Sequence, residues 1–188
     1  MKRKRFHRIY VEITNLCNLS CSFCSKTKRL PRSMSVLEFQ RVLEQIKDYT
    51  DFVCLHVKGE PLLHSSLDSL LKLCDQEKVE VSLTTNGTLL KSKINVLLKH
   101  KCISKIHISL NAERPKDFLL EDIFASVDLL PSYVIVVYRL WAQTSARLDK
   151  KSTDVVEKLA KHYSLSTEIV DKMYSKLWHI LIIKNKPR

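Results

Sequence analysis

Ile9-Tyr10-Val11-Glu12-Ile13-Thr14-Asn15-Leu16-Cys17-Asn18-Leu19-Ser20-Cys21-Ser22-Phe23-Cys24 runs from a strand-like segment straight into three cysteines with CxxxCxxC spacing. The apolar, β-branched run Ile9 to Thr14 predicts a β-strand, and the short loop behind it brings three thiolates together without a long chain closure. Thiolates this close suit a metal centre. A closed structural zinc site or a fully protein-ligated iron-sulfur cluster takes four protein ligands, so three cysteines leave one metal position for a ligand that is not protein. That is the layout of a reactive centre.

Beyond the loop, four more apolar runs read as strands: Phe52 to Val57, Val79 to Thr84, Lys105 to Ser109 and Tyr133 to Tyr138, each followed by a helix-like segment. Alternation of this kind predicts an α/β fold built from βα units around a parallel sheet, a partial (β/α)6-type barrel with about five clear units. The helices are signalled locally. Ser35 with Glu38 makes a capping box, and Met34 before it can pack on Phe39 as a hydrophobic staple. Ser65 and Asp68 open a second helix, Lys91 to Lys99 form a third, and the apolar face of 119, 120, 123, 124, 127 and 130 marks a fourth over Phe118 to Leu130. A fifth runs from Ser152 to Tyr163. Trp178 to Ile183 reads either as a sixth strand or as part of a helix with Ile169, Val170, Met173 and Leu177, and the helical spacing is preferred. The organisation expected is a basic lead (1–8), a core (9–163) and a C-terminal segment with a basic tail (164–188).

The 188 residues are 45% hydrophobic, enough for one domain with a real core, and no apolar stretch approaches the roughly 20 residues that cross a bilayer. No signal-peptide apolar region follows the basic start, which predicts a cytoplasmic protein. Six cysteines in such a chain read as ligands and buried thiols, with Cys54, Cys74 and Cys102 as small buried hydrophobes. The net charge of +12 comes from Lys2 to Arg8, from Lys26, Lys28, Arg29 and Arg32, and from the tail after Lys184. It suits nucleic acid, an acidic peptide or an acidic electron-donor protein, but no RNA-binding signature accompanies it and solvated surface is the simpler reading.

Only two glycines occur, where average usage of about 7% would give roughly a dozen. Gly59, in Lys58-Gly59-Glu60-Pro61, and Gly87, after Asn86, stand where the chain leaves the second and third strands. Glycine there permits positive φ or a close backbone approach. Ser109-Leu110-Asn111-Ala112 ends the fourth strand and Arg139 the fifth. In a βα barrel these C-terminal strand ends form one mouth, where active sites are built. Glu60 there could receive an ammonium group and Arg139 a carboxylate, so a small zwitterion fits the pair.

Taken together, CxxxCxxC with Phe23 before the last cysteine, Gly59-Glu60-Pro61, Asn86-Gly87 and Ser109-Leu110-Asn111-Ala112 resemble the signposts of the radical S-adenosylmethionine (SAM) enzymes over roughly residues 8 to 140. The wider text around Cys17 and Gly59 resembles the core domain of the SPASM-type branch, without its cysteine-rich C-terminal extension, which reads as a C-terminal truncation. The resemblance implies that Cys17, Cys21 and Cys24 hold a [4Fe-4S] cluster whose fourth iron is chelated by SAM. It implies that the Gly59-Glu60 region receives the SAM amino group, that Ser109 and Arg139 address its ribose or carboxylate, and that Asn86-Gly87 shapes the adenosyl pocket. Reductive cleavage would then yield a 5′-deoxyadenosyl radical that takes hydrogen from a substrate, a peptide first and a modified nucleoside or RNA next. A one-electron donor such as a flavodoxin or ferredoxin is implied as partner. Lys58 departs from the family pattern, standing where a first glycine is usual. Two alternatives remain open: a non-catalytic cluster-binding relative acting as scaffold or regulator, and a zinc module with His7 or His56 as fourth ligand.

Overall fold

A computed structural model describes residues 5–25, 27–141, 150–170 and 178–184. One sheet of six strands forms in chain order: β1 (Ile9–Tyr10), β2 (Phe52–Cys54), β3 (Glu80–Thr85), β4 (Ile103–Ser109), β5 (Ile135–Trp141) and β6 (Trp178–Lys184). The first five pair in parallel, and the helices α1 (Val36–Ile46), α2 (Leu67–Glu77), α3 (Leu90–Leu97) and α4 (Leu120–Asp128) connect them. Crossovers of one hand between successive neighbours carry all of these helices to one face and all C-terminal strand ends to one mouth. The fifth helix, α5 (Lys150–Tyr163), packs on α4, and the Tyr138 and Tyr163 hydroxyls lie 2.8 Å apart beneath it.

Two sequence expectations are corrected. Trp178 to Ile183 is strand rather than helix, because an antiparallel partner along β5, from Ile135↔Lys184 to Trp141↔Trp178, satisfies its backbone in place of helical bonds. The second helix starts one residue later than expected. Ser66, not Ser65, precedes it and makes no side-chain cap; instead His64 Nδ1 accepts the Ser66 N–H at 3.1 Å. The capping box on α1 is present as read, with both the Ser35 and the Glu38 side chains bonded to backbone N–H. Lys26 and the tail beyond Lys184 lie outside the described residues.

β1 is much shorter than the run Ile9 to Thr14. After Tyr10 only one more bond joins β2, Val11 N to Cys54 O at 2.9 Å. Residues 13–15 then turn to an antiparallel stem with 32–34, made by Met34 N to Ile13 O (2.7 Å), Asn15 N to Arg32 O (3.1 Å) and the Thr14↔Ser33 bridge. Asn15 reinforces it, donating to Leu30 O and accepting from Arg32 N. The cysteine loop is therefore an excursion from a closed stem at the C-terminal edge of the sheet.

Both glycines have positive φ, +76° at Gly59 and +83° at Gly87, and both are crowded by protein. A Cβ on Gly59 would meet Thr14 O at 2.5 Å and Leu16 O at 2.7 Å, which are backbone atoms of the stem. One on Gly87 would meet the flexible end of Ile123, also at 2.5 Å.

The two faces of the sheet differ in chemistry. Val53, Leu55, Val81, Leu83, Ile106 and Ile108 point to the helices and are fully buried. Each contributes about 1.5–3 kcal/mol by leaving water. A register shift after Val81 lets both Ile103 and Ile106 face this side. The alternate residues, Cys54, His56, Ser82, Thr84, Lys105 and His107, with Arg139, line the inner face. Thr84 Oγ1 meets His56 Nε2 at 3.0 Å, and the Tyr10 ring stands edge-on to His56 at 5.5 Å. Burial first, then the Arg139 charge, lowers the His56 imidazole to about 4 and His107 to about 3; His56, Lys105 and Arg8 lower His107 further.

Two outcomes follow from this packing. Gly59→Ala should cost more stability than Gly87→Ala in urea denaturation. Both lose about 1–2 kcal/mol to the left-handed backbone, but only Gly59→Ala drives a methyl into main chain. Equal losses would contradict the crowding. On acidification, an unfolded histidine gains its proton near 6.5 while His56 and His107 stay neutral until about 4 and about 3. The unfolded chain binds more protons in that window, so these groups make stability rise with pH from about 3 to 6.5 and level off above it. His107→Gln should flatten that rise in melting temperature against pH, and an unchanged slope would count against it.

Candidate functional site

The cysteine loop lies on the mouth and is strapped to two strand ends. At the β3 end, Asn86 Nδ2 donates to Asn18 Oδ1 at 3.0 Å and reaches Cys17 Sγ at 3.8 Å, while Asn18 Nδ2 donates to Thr88 Oγ1 at 2.8 Å. Thr88 N and Oγ1 both donate to Asn86 Oδ1, which orients that amide. At the β4 end, Glu113 accepts from Ser22 N (2.8 Å) and Ser22 Oγ (2.5 Å), and its own N–H donates to Cys21 Sγ at 3.3 Å. Cys24 N donates to Cys21 O at 3.1 Å, closing a tight turn between the last two cysteines.

A buried carboxylate and a half-buried guanidinium hold the strand ends beneath it. Glu60 N donates to Leu16 O at 2.7 Å. Its carboxylate accepts from Leu62 N (3.1 Å), Thr85 Oγ1 (2.7 Å) and Asn86 N (2.7 Å). Burial raises its pKa, opposed by those donors and by the Arg114 charge. Arg114 donates to the carbonyls of Asn86 (2.6 and 2.9 Å), Ser109 (2.6 Å), Leu110 and Ala112, and burial lowers it to about 10. Burial also raises the Cys17 thiol, with the Leu19 N–H opposing and the Glu60 charge adding.

The expected residues are thus distributed unequally. Cys17, Cys21, Cys24, Asn86 and Gly59 stand around the mouth with Glu60 and Pro61, and Pro61 opens a buried 3-10 turn over Pro61–Leu63 that Glu60 caps. Phe23 is 42% exposed beside Cys24. Ser109 pairs in register with Arg139. The Glu60 side chain is buried and bonded by protein donors. Arg139, half-buried, exchanges its field with Tyr10, Cys54, His56 and His107 on the inner face. Lys58 turns to the cysteine loop, its ammonium on Ser25 O (2.8 Å) and Ser25 Oγ, and its N–H on Glu12, which also pairs with Arg29. Asn18, Thr88, Glu113 and Arg114 carry the straps and braces without any sequence signal beyond their nearness to Cys17, Gly87 and Asn111.

The donors present fit an iron-sulfur cluster and a small zwitterion. Three free thiols share one loop, two of their sulfurs receive N–H bonds of the kind that stabilise ligating thiolates, and the buried Asn111 Oδ1 has no partner among the described residues. Among those residues no three His, Cys, Asp or Glu side chains stand together as a preformed metal group, and His56 is turned to Thr84 rather than to the thiols. No helix among them is long and apolar enough to cross a membrane.

Comparison with known proteins agrees with this geometry. The model of the radical SAM superfamily matches residues 11–129. A probable GTP 3′,8-cyclase of Methanococcus maripaludis is 30% identical over 112 residues, covering 57% of this chain and 37% of that protein. The GTP 3′,8-cyclase of Aliarcobacter butzleri is 33% identical over 128 residues, covering 62% and 39%. The chain thus spans under two fifths of these relatives' length. In fold it is similar to Streptococcus suis SuiB (TM-score 0.61, 20% identity, 85% of this chain and 38% of that one). BtrN in complex with AdoMet and 2-DOIA is similar too (TM-score 0.51, 16% identity, 92% and 89%). The family's cofactors are a [4Fe-4S] cluster and SAM. Because the matched span runs from just after β1 through α4, well over half of the sequence, the chain belongs to the radical SAM superfamily.

Proposed function

We propose that this chain is the SAM-cleaving core of a radical enzyme, with Cys17, Cys21 and Cys24 holding the cluster at the mouth. The observation that carries the reading is the strapping of that loop to the ends of β3 and β4 by Asn86 and Glu113. When bound, the cluster and SAM supply a one-electron cleavage that yields methionine and a 5′-deoxyadenosyl radical able to take a hydrogen atom.

The protein's part is position and exclusion. Asn86 and the Glu113 N–H orient sulfurs, and Glu60 and Arg114 fix the strand ends on which SAM would rest. Asn111 Oδ1 offers an acceptor at the β4 end, and Ser109 lies beside it on the inner face. The Glu60 carboxylate acts in this scheme by positioning the rim, not by receiving the amino group. A flavodoxin or ferredoxin suits the basic surface near Lys28 and Arg29 as electron donor.

For the substrate, a peptide follows from the SPASM-type resemblance. A nucleotide is favoured by the GTP 3′,8-cyclases, at 30% and 33% identity. Anaerobic iron-sulfide reconstitution should give a brown protein with about four irons. On reduction it should release 5′-deoxyadenosine from SAM, and Cys24→Ser should abolish both colour and release while leaving the far-UV circular dichroism intact. A colourless, folded wild-type protein would sink the proposal. Adding GTP to the reduced enzyme tests the nucleotide: consumption of GTP with SAM supports it, and release of 5′-deoxyadenosine with GTP unchanged counts against it.

A further inference from the structure

We infer that the inner face of the sheet carries an anion-binding strip, made by His107, Arg139 and Lys105 with His56 at its flank, that holds the negatively charged group of the substrate. The inner layer of a closed parallel barrel is filled with branched apolar side chains. Here the face away from the helices carries polar side chains on β2, β3 and β4, and on β5 Arg139 stands beyond the apolar Ile135 and Val137.

Its polar groups are also unfinished. The Nδ1 atom of His107 is buried with no hydrogen-bond partner among the described residues, and that of His56 has at most the Ser82 backbone beside it. Leaving such groups unpaired is costly, and an acceptor or donor brought by a ligand removes the cost. The charges that act on His107 come from Arg139, His56, Lys105 and Arg8, with no carboxylate among them. None of Arg8, Lys105 and Arg139 has an ion-pair partner among the described residues. Unneutralised guanidinium and ammonium groups beside imidazole N–H donors fit a phosphate or a carboxylate, which Arg139 can meet by a two-point contact.

The position is also suitable. His107 lies two residues and Lys105 four residues before Ser109 on β4, roughly 7 and 13 Å below the strand ends at about 3.3 Å per residue. An anion anchored there would hold the rest of a small substrate up towards the cysteine-bearing mouth. The inference rests on the proposed function only for what the anion belongs to; the strip itself is a property of the sheet.

The test uses the full 188-residue chain in calorimetric titrations with sodium tripolyphosphate and, separately, glutarate, at about physiological salt. Saturable binding of one probe should weaken about ten- to a hundredfold in Arg139→Met and Lys105→Met. It should be unchanged in Lys91→Met, whose ammonium lies outside the strip and pairs with Asp122. Preference for tripolyphosphate assigns a phosphorylated substrate, and preference for glutarate a carboxylate. In the wild-type protein the His107 imidazole nitrogen resonances should move with the same saturation, a readout that does not depend on any variant folding. Absence of saturable binding, equal weakening in Lys91→Met, or unmoved His107 resonances would overturn the strip. Loss of the strip with SAM cleavage intact leaves the proposed function standing, and anion binding without SAM cleavage does the reverse.

Discussion

The buried carboxylate of Glu60 is the tie on which the rim depends. Its backbone N–H holds the Leu16 carbonyl at the base of the cysteine loop, and its side chain gathers donors from its own turn and from the end of β3. A buried carboxylate without such partners would cost several kcal/mol, so the three donors are held to it as firmly as it is to them. Gly59 belongs to the same joint: the stem carbonyls come so close that no Cβ fits. Three strand ends that are distant in sequence thereby share one fixed geometry.

Arg114 repeats the principle on the other side. A guanidinium has five donors in a rigid fork, and here they close on carbonyls of the β3 and β4 ends, which otherwise would be free loop ends. Burial costs this cation proton affinity, and the nearby Glu60 charge offsets part of that loss. Between the buried carboxylate and the half-buried guanidinium lies the platform that the cysteine loop crosses. The loop needs the platform because three exposed or half-exposed thiols on a free excursion would sample many arrangements, whereas a ligand set must be preorganised.

The sheet separates two tasks by strand alternation. One face is mainly apolar and supports the helices, and stability resides there. The other carries more polar side chains, incompletely paired, with imidazoles kept neutral by burial and by neighbouring cations. Such unsatisfied groups are a liability in a core and an asset in a binding face.

Much of this was legible in the sequence because it is encoded locally. Three cysteines within eight residues define a ligand loop wherever they occur. Ser35 and Glu38 cap α1 through contacts three residues apart, and the βα alternation specifies a parallel sheet by periodicity and connection rules. The two glycines were read as needing unusual backbone, and both have positive φ. What only tertiary structure decided depends on which distant segments meet. Trp178 to Ile183 became strand because β5 offered an edge. Thr14 left β1 because Ser33 competed for it, and Glu60 braces the rim because Thr85 and Asn86 reach its carboxylate. Glu113, Arg114 and His107 carried no signal in the sequence for the same reason: a side chain's direction is set by register, a bulge and the far wall of the fold, and none of these is written near the residue itself.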